Sequence, residues 1–325
     1  MSAVMAEGIR GRFAPSPTGF LHLGHAWVAL LSWLQVRGSG GSWVLRVEDL
    51  DPDRSRDVYA EALREDLTWL GLDPDEGFGV GGLHAPYRQS ERVDRYEAAF
   101  RALRERGEVY PCFCTRSRVR EAERGAALAP HGPLTGCPGR CAERPERERR
   151  RLVAEGERPH WRYRVRRSRD EWEDGCRGHQ SWERGEGNWD PILRRRDGTF
   201  GYMLAVVVDD GEMQITDVLR GDDLLTATPI QRDLFGTLGL PVPRYAHVPL
   251  LVDSAGRRLS KRHGALALRE LRRSGVKPEA VIGRLAAWAG CVERPEPCRP
   301  GELIGLLDLA KVGRRWPGRI VVQER

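Results

Sequence analysis

Apolar positions in this chain alternate between two spacings, and the changes mark out strands followed by helices. Residues 8–13 form a short strand candidate, and residues 21–36 repeat apolar side chains at helical spacing with no proline to interrupt them. Residues 42–47 (SWVLRV) read as a second strand that ends at Glu48-Asp49. Residues 57–70 form an amphipathic helix with Val58, Leu63, Leu67 and Leu70 inward, and 71–82 is loop. Another helix over 90–106 places Val93, Tyr96, Phe100 and Leu103 on one face, and 109–114 is a short strand.

Between 115 and 160 the composition turns to Arg, Glu, Gly and Pro, which reads as an insertion rather than sheet core. Residues 161–166 alternate like a strand, whereas 168–189 scatters three tryptophans among charges and takes no assignment. Sheet character returns at Ile192-Leu193, with a turn at Asp197-Gly198. The run 199–208, three consecutive valines ending in Asp209-Asp210, has the pattern of a buried strand. A further strand is expected over 214–218 and a helix over 228–238, capped by Thr226 or Thr228. A loop-rich stretch with a turn at Ser254-Ala255-Gly256 follows, then helices over 265–274 and 278–289 and a short last one near 301–309. No internal repeat is visible. Strands alternating with helices predict an α/β fold around a parallel sheet. Its first half spans 8–110, an inserted subdomain 111–189, the second half 190–240, and a short helical region 241–325.

Composition narrows the picture. The chain has 325 residues, 40% hydrophobic and 31% charged, the balance of an ordinary enzyme with more than one domain. No run of about 18 apolar residues occurs, which excludes a spanning helix, and the first residues lack a secretory pattern, so a cytoplasmic setting is expected. The net charge of +6 leans toward a polyanionic partner. Of seven cysteines, four are closely spaced as Cys112-x-Cys114 and Cys137-x3-Cys141. Soft thiolates at such spacings, joined by a polar loop, suit one tetrahedral Zn²⁺ and can order an insertion too polar to build a core. Cys176, Cys291 and Cys298 are scattered, and the Cys176–His179 pair reads as loop.

The densest chemistry lies in residues 12–25, RFAPSPTGFLHLGH. Pro15, Pro17 and Gly19 force a tight irregular turn between the first strand and the first helix, so His22 and His25 fall in the first helical turn. A helix N-terminus offers N–H groups and partial positive charge to phosphate, and Gly24 leaves room for a ligand near the backbone. Two histidines at this spacing equally serve as a plain helix cap. About 230 residues further on comes Arg258-Leu259-Ser260-Lys261-Arg262. Lysine occurs only at 261, 277 and 311 in a chain that otherwise uses arginine. Lys261 therefore points to a role for a compact, flexible ammonium.

These two stretches resemble the HIGH and KMSKS signatures of class I aminoacyl-tRNA synthetases, with Leu23 in the isoleucine position and Arg258 in that of the first lysine. RFAPSPTG resembles the glutamyl/glutaminyl branch. The resemblance implies a Rossmann-type catalytic domain that activates an amino acid by attack of its carboxylate on the α-phosphorus of ATP. It implies His22, His25 and Lys261 as catalytic groups, ATP held by His22, Gly24, His25, Ser260 and Lys261, and Mg²⁺ shielding the polyphosphate. By match of local sequence it implies an L-glutamate site of Arg12, Phe13, Ala14, Pro15 and Ser16 with Glu48, Tyr202 and Arg220. Arg12 and Arg220 are the candidates for glutamate's carboxylates and Glu48 for its ammonium. In that family the position of Cys137 can hold tyrosine, so an all-cysteine site is a variation.

Only a short stretch follows RLSKR, where full-length glutamyl-tRNA synthetases continue into helical domains that read the anticodon. The chain is similar instead to truncated relatives that activate glutamate without tRNA. Those relatives transfer it to the queuosine cyclopentenediol in the anticodon loop of tRNA(Asp). The expectation is a monomer with L-glutamate, ATP and queuosine-containing tRNA(Asp) as partners and no membrane. Arg116, Arg118 and Arg120 are candidates for RNA phosphates. Two alternatives stay open: a minimal glutamyl-tRNA synthetase charging the tRNA 3′ end, and a non-catalytic RNA-binding protein on the same scaffold.

Overall fold

The computed structural model describes residues 8–115, 137, 141–184, 190–257 and 267–322. The chain opens with β1 (Arg10–Phe13), α1 (Leu23–Gly38), β2 (Ser42–Leu45), α2 (Asp57–Leu70), β3 (Glu76–Gly77), α3 (Val93–Glu105) and β4 (Val109–Cys112). It continues through α4 (Glu146–Ala154), β5 (His160–Tyr163), β6 (Arg169–Asp174), β7 (Gly178–Glu183), β8 (Ile192–Arg194), α5 (Tyr202–Glu212), β9 (Asp217–Gly221), α6 (Thr228–Leu238) and β10 (Arg244–Val248). It closes with β11 (Leu251–Val252), α7 (Leu268–Arg273), α8 (Pro278–Ala289), α9 (Leu309–Arg315) and β12 (Ile320–Val321).

The main sheet has the order β3-β2-β1-β9-β10-β6-β7, parallel throughout except for β7. From β1 the chain first adds strands on one side, β2 then β3, and later on the other, β9 then β10. Strand order therefore reverses between β1 and β9. A reversal of this kind opens a crevice beyond the carboxyl ends of the two central strands, where such sheets bind ligands. Alternate side chains pack the two faces. Trp43, Leu45, Leu219 and Ala246 join α1, α2 and α8 in one core, while Val44, Val218 and Tyr245 meet Met213 and Ile215 on the other face. α1 is buried almost all round, and Trp27 ties it to the strand ends by donating to the carbonyl of Pro249 at 3.0 Å. A second core joins α3, α5 and α6 to β8. The insertion has its own antiparallel sheet, β4-β5-β8.

Several expectations are corrected. The valine run is the helix α5, not a strand: Met203 through Asp210 are all buried, so no polar stripe betrays the helical period. The strand expected over 214–218 is β9, shifted to Asp217–Gly221 after a left-handed turn at Gln214 (φ 55°), which puts Arg220 on the strand itself. Residues 90–106 split into a single 3-10 turn at Gln89–Glu91 and α3. Val58 and Val93, expected inward, lie exposed in or at the start of the first turns of α2 and α3. The last helix is α9, and the stretch expected to hold it contains only the 3-10 turn Pro300–Leu303. Neither threonine caps α6: its N-cap is Ala227, and the Thr228 hydroxyl is used elsewhere.

Residues 168–184 matter most. The expected insertion, 111–189, includes them, yet β6 pairs with β10 of the main sheet and β7 with β6. The buried face of β6 is Asp170, Trp172 and Asp174. Two of its three inward positions are carboxylates matched by partners on other elements, so apolar alternation could not reveal the strand. The insertion resumes with β8, at Ile192–Arg194.

Candidate active site

The cleft opens at the carboxyl edge of the sheet, with a volume near 280 Å³. Its walls are the β1–α1 corner, the end of β2, the start of α5, the end of β9 and the residues after β10. Arg12, Phe13, Ala14, Pro15, Ser16, His22, Gly24, His25, Glu48, Tyr202 and Arg220 all line it. These residues come from separate elements, and the strand reversal is what gathers them. Ser260 and Lys261 lie outside the described residues, as do Arg116, Arg118 and Arg120. The chain on either side of that signature is fixed at the cleft. Leu250 and Leu251 line it, and Ala267 pairs with His22 while the Leu268 N–H donates to Leu21 O at 2.8 Å.

The two histidines both cap α1 and face the cleft. His22 is the N-cap; its Nδ1 accepts from the Gly24 N–H at 3.1 Å, and His25 Nδ1 accepts from the His22 N–H at 3.3 Å. A neutral imidazole that accepts at Nδ1 carries its proton on Nε2. Capping therefore sets the tautomer that leaves Nε2–H as a donor. The rings lie 3.9 Å apart by centroid. A side chain at Gly24 would bring its Cβ to 3.0 Å from the His22 ring, so the glycine makes room for the imidazole as well as for a ligand.

A buried charge network holds the glutamate candidates. Arg12 Nε donates to Asp210 at 3.2 Å, and its Nη1 donates to Leu219 O at 3.3 Å. Arg46, fully buried, donates to Asp210 at 2.7 Å and to Glu48 at 3.2 Å. Asp209, the neighbour on α5, accepts from Arg92 at 2.6 Å, Gln89 at 2.9 Å and the Tyr96 hydroxyl. Burial pushes the Glu48 carboxyl up to about 7, with Arg46 and Arg12 offsetting only part of the cost. Burial acts on Asp210 in the same sense, but Arg12 and Arg46 outweigh it and hold that carboxyl below its ordinary value. Burial raises the Tyr202 phenol, keeping it neutral. Arg220 is engaged on four sides, by His247, Gln231, Thr228 and Leu224 O.

Sequence reasoning missed the rest of the lining: Thr18 in the β1–α1 corner, Trp27 and Val28 on α1, Arg54, Leu219 and Gly221 on β9, Asp223 and Leu224 after it, and Leu250-Leu251 after β10. The signal was available for the last two pairs, since both follow sheet strands at the carboxyl edge. Arg46, Asp209 and Asp210 carried no signal, because a buried ion network leaves no local pattern.

In the insertion, Cys112, Cys114, Cys137 and Cys141 converge. Their sulfurs all lie within 4.8 Å of one another, with Cys112–Cys137 and Cys114–Cys137 at 3.4 Å and Cys114–Cys141 at 3.8 Å. Four thiolates on a tetrahedral ion with bonds of about 2.3 Å sit about 3.8 Å apart. The buried cluster therefore fits one metal ion with little movement. Cys176 lies in the turn between β6 and β7 and His179 on β7, apart from it.

A sheet that reverses beside a strand-to-helix corner bearing two imidazoles, with carboxylate and guanidinium groups opposite, defines a class I synthetase catalytic domain. Residues 8–294 match the family described as tRNA synthetases class I (E and Q), catalytic domain, and the chain belongs to it. The chain is 47% identical to a glutamyl-Q tRNA(Asp) synthetase of Symbiobacterium thermophilum over 95% of both chains. It is 46% identical to one of Nitratidesulfovibrio vulgaris over 94% of both. It is also 42% identical to glutamate–tRNA ligase 2 of Syntrophus aciditrophicus, covering 94% of this chain and 62% of that one. Among solved structures, a glutamate tRNA ligase from Elizabethkingia meningosepticum in complex with its amino acid superposes with a TM-score of 0.79. That likeness covers 94% of this chain and 66% of the other, at 31% identity.

Proposed function

We propose that this chain activates L-glutamate as glutamyl-adenylate without tRNA, and then transfers it to the queuosine cyclopentenediol in the anticodon loop of tRNA(Asp). The observation that carries the first half is the single cleft shared by the β1–α1 histidine corner, Glu48 and Arg220. The second half is supported by the two glutamyl-Q tRNA(Asp) synthetases, which match at 46–47% identity over nearly their whole length.

In this reading Arg12 and Arg220 bind the carboxylates of glutamate and Glu48 its ammonium, with Tyr202 and residues 13–16 closing the site. The α-carboxylate attacks the α-phosphorus of ATP; a C–O–P bond forms and pyrophosphate departs with the electron pair of the broken P–O bond. His22 and His25 donate Nε2–H to phosphate oxygens, and Lys261 supplies a positive charge as negative charge shifts to the leaving group. Gly24 and Ser260 line the nucleotide. Mg²⁺, held chiefly by the polyphosphate, would neutralise charge there. Transfer is attack of a cyclopentenediol hydroxyl on the activated carbonyl, releasing AMP. Zn²⁺ on the four cysteines would have a structural role, since four thiolates leave no open position.

The test is ATP–pyrophosphate exchange without RNA. Exchange that depends on glutamate and is not supported by glutamine is the expected result. Its absence in folded, metal-loaded protein would favour a non-catalytic scaffold.

A further inference from the structure

The β6–β7 turn reaches the cleft through a chain of buried hydrogen bonds. Arg220 Nε donates to His247 Nε2 at 2.9 Å, and His247 Nδ1 lies 2.5 Å from Asp174 Oδ2. All three side chains are buried, and they come from β9, β10 and β6. A guanidinium has no acceptor and keeps its protons. His247 Nε2 must therefore accept, the ring proton sits on Nδ1, and it is donated to Asp174. Thr228 Oγ1 and Gln231 Oε1 hold the Nη groups of Arg220 at 2.8 and 2.7 Å. Burial and the adjacent Arg220 keep His247 well below its usual range, at about 4, despite Asp174, so the ring stays neutral.

We propose that Asp174 and His247 are positioning residues that fix the guanidinium plane of Arg220 for a carboxylate of glutamate, an inference that rests on the assignment of Arg220 to glutamate made above. Asp174 is itself pinned. Its Oδ1 accepts from the backbone N–H groups of Cys176 at 3.0 Å, Arg177 at 2.9 Å and His247 at 2.9 Å. The turn thus acts on amino-acid binding without touching the substrate.

Asp174→Asn tests this. The three backbone donors hold the asparagine carbonyl at the Oδ1 position, so its NH₂ faces the imidazole. His247 must then accept at Nδ1 and carry its proton on Nε2, opposing the Arg220 Nε–H. This near-isosteric change is expected to raise KM for glutamate in ATP–pyrophosphate exchange about ten-fold or more, as a wrong tautomer does elsewhere. KM for ATP should stay within about two-fold, and combination with His247→Leu should add little, since coupled residues are non-additive. Imidazole ¹⁵N NMR should find the proton on Nδ1 in the parent protein and on Nε2 in D174N, a readout that stands even if H247L fails to fold. A folded D174N with unchanged glutamate KM, or single effects that multiply in the double variant, overturns the proposal. Arg220→Lys separates the two layers. If R220K raises glutamate KM and D174N does not, the positioning role alone fails; if R220K changes nothing, the assignment of Arg220 fails.

Discussion

Glu48 carries the most testable charge in the cleft. Burial raises its carboxyl from 4.5 to about 7. A raised acid binds its proton more tightly in the folded chain than in the unfolded one. Its contribution to stability is therefore whole below pH 4.5 and is lost as pH climbs through 7. An ammonium beside it reverses that preference and stabilises the carboxylate. Glutamate binding near pH 6.5 is accordingly expected to expel a large fraction of a proton. Calorimetry in two buffers of different ionisation enthalpy should detect this release, which vanishes in Glu48→Gln and fades well above pH 8; buffer-independent heats at pH 6.5 would remove Glu48 from the ammonium site. At the corner of α1, His25→Ala is expected to slow pyrophosphate exchange by roughly 10²–10³, the cost of one lost oxyanion donor. Glutamate affinity, read by calorimetry without ATP, should hold. The histidine corner was legible because its residues stand at a fixed local spacing, and Glu48 because its local sequence resembles that of the family. Asp210 and His247 were not, because Arg46 and Asp174, the groups they meet, stand 164 and 73 positions away.

Among elements, α5 and the β6–β7 hairpin show where pattern reading stops. A helix buried on every side and a strand with aspartate at two of its three inward positions both lack the period that announces them, and only long-range partners decide their state. α1, α2 and α8 had an ordinary apolar rhythm and were read within a few residues. The anchor after RLSKR is another element-scale feature. Arg269 on α7 lies 3.9 Å over the Phe20 ring, which meets Tyr59 edge-on at 4.9 Å. Phe20→Ala should loosen that anchor and raise KM for ATP by about 3- to 10-fold, the range of a part-buried cation–π contact. Glutamate KM should not move, and equal effects on both would mean general disruption. The cysteine knuckle forms a small core of its own with Tyr110. Cys141→Ser is expected to lower bound metal, measured by elemental analysis, and to lower the thermal midpoint. RNA-independent adenylate formation should persist; its loss in parallel with metal would tie the knuckle to the catalytic core.

Across the molecule, strand reversal between β1 and β9 turns scattered local motifs into one site, with histidines, carboxylate and guanidinium on different walls. The sheet also explains how a turn at its far edge can steer Arg220 through His247. A net charge of +6 suits an RNA substrate. The identity of the acceptor is the central claim. Labelled glutamate should be supplied with ATP to tRNA(Asp) made with and without queuosine, and the product cleaved to map the labelled fragment. The account predicts label in the anticodon-loop fragment of queuosine-containing tRNA(Asp) and none on the queuosine-free RNA. Label on the 3′-terminal fragment, surviving without queuosine, would contradict it.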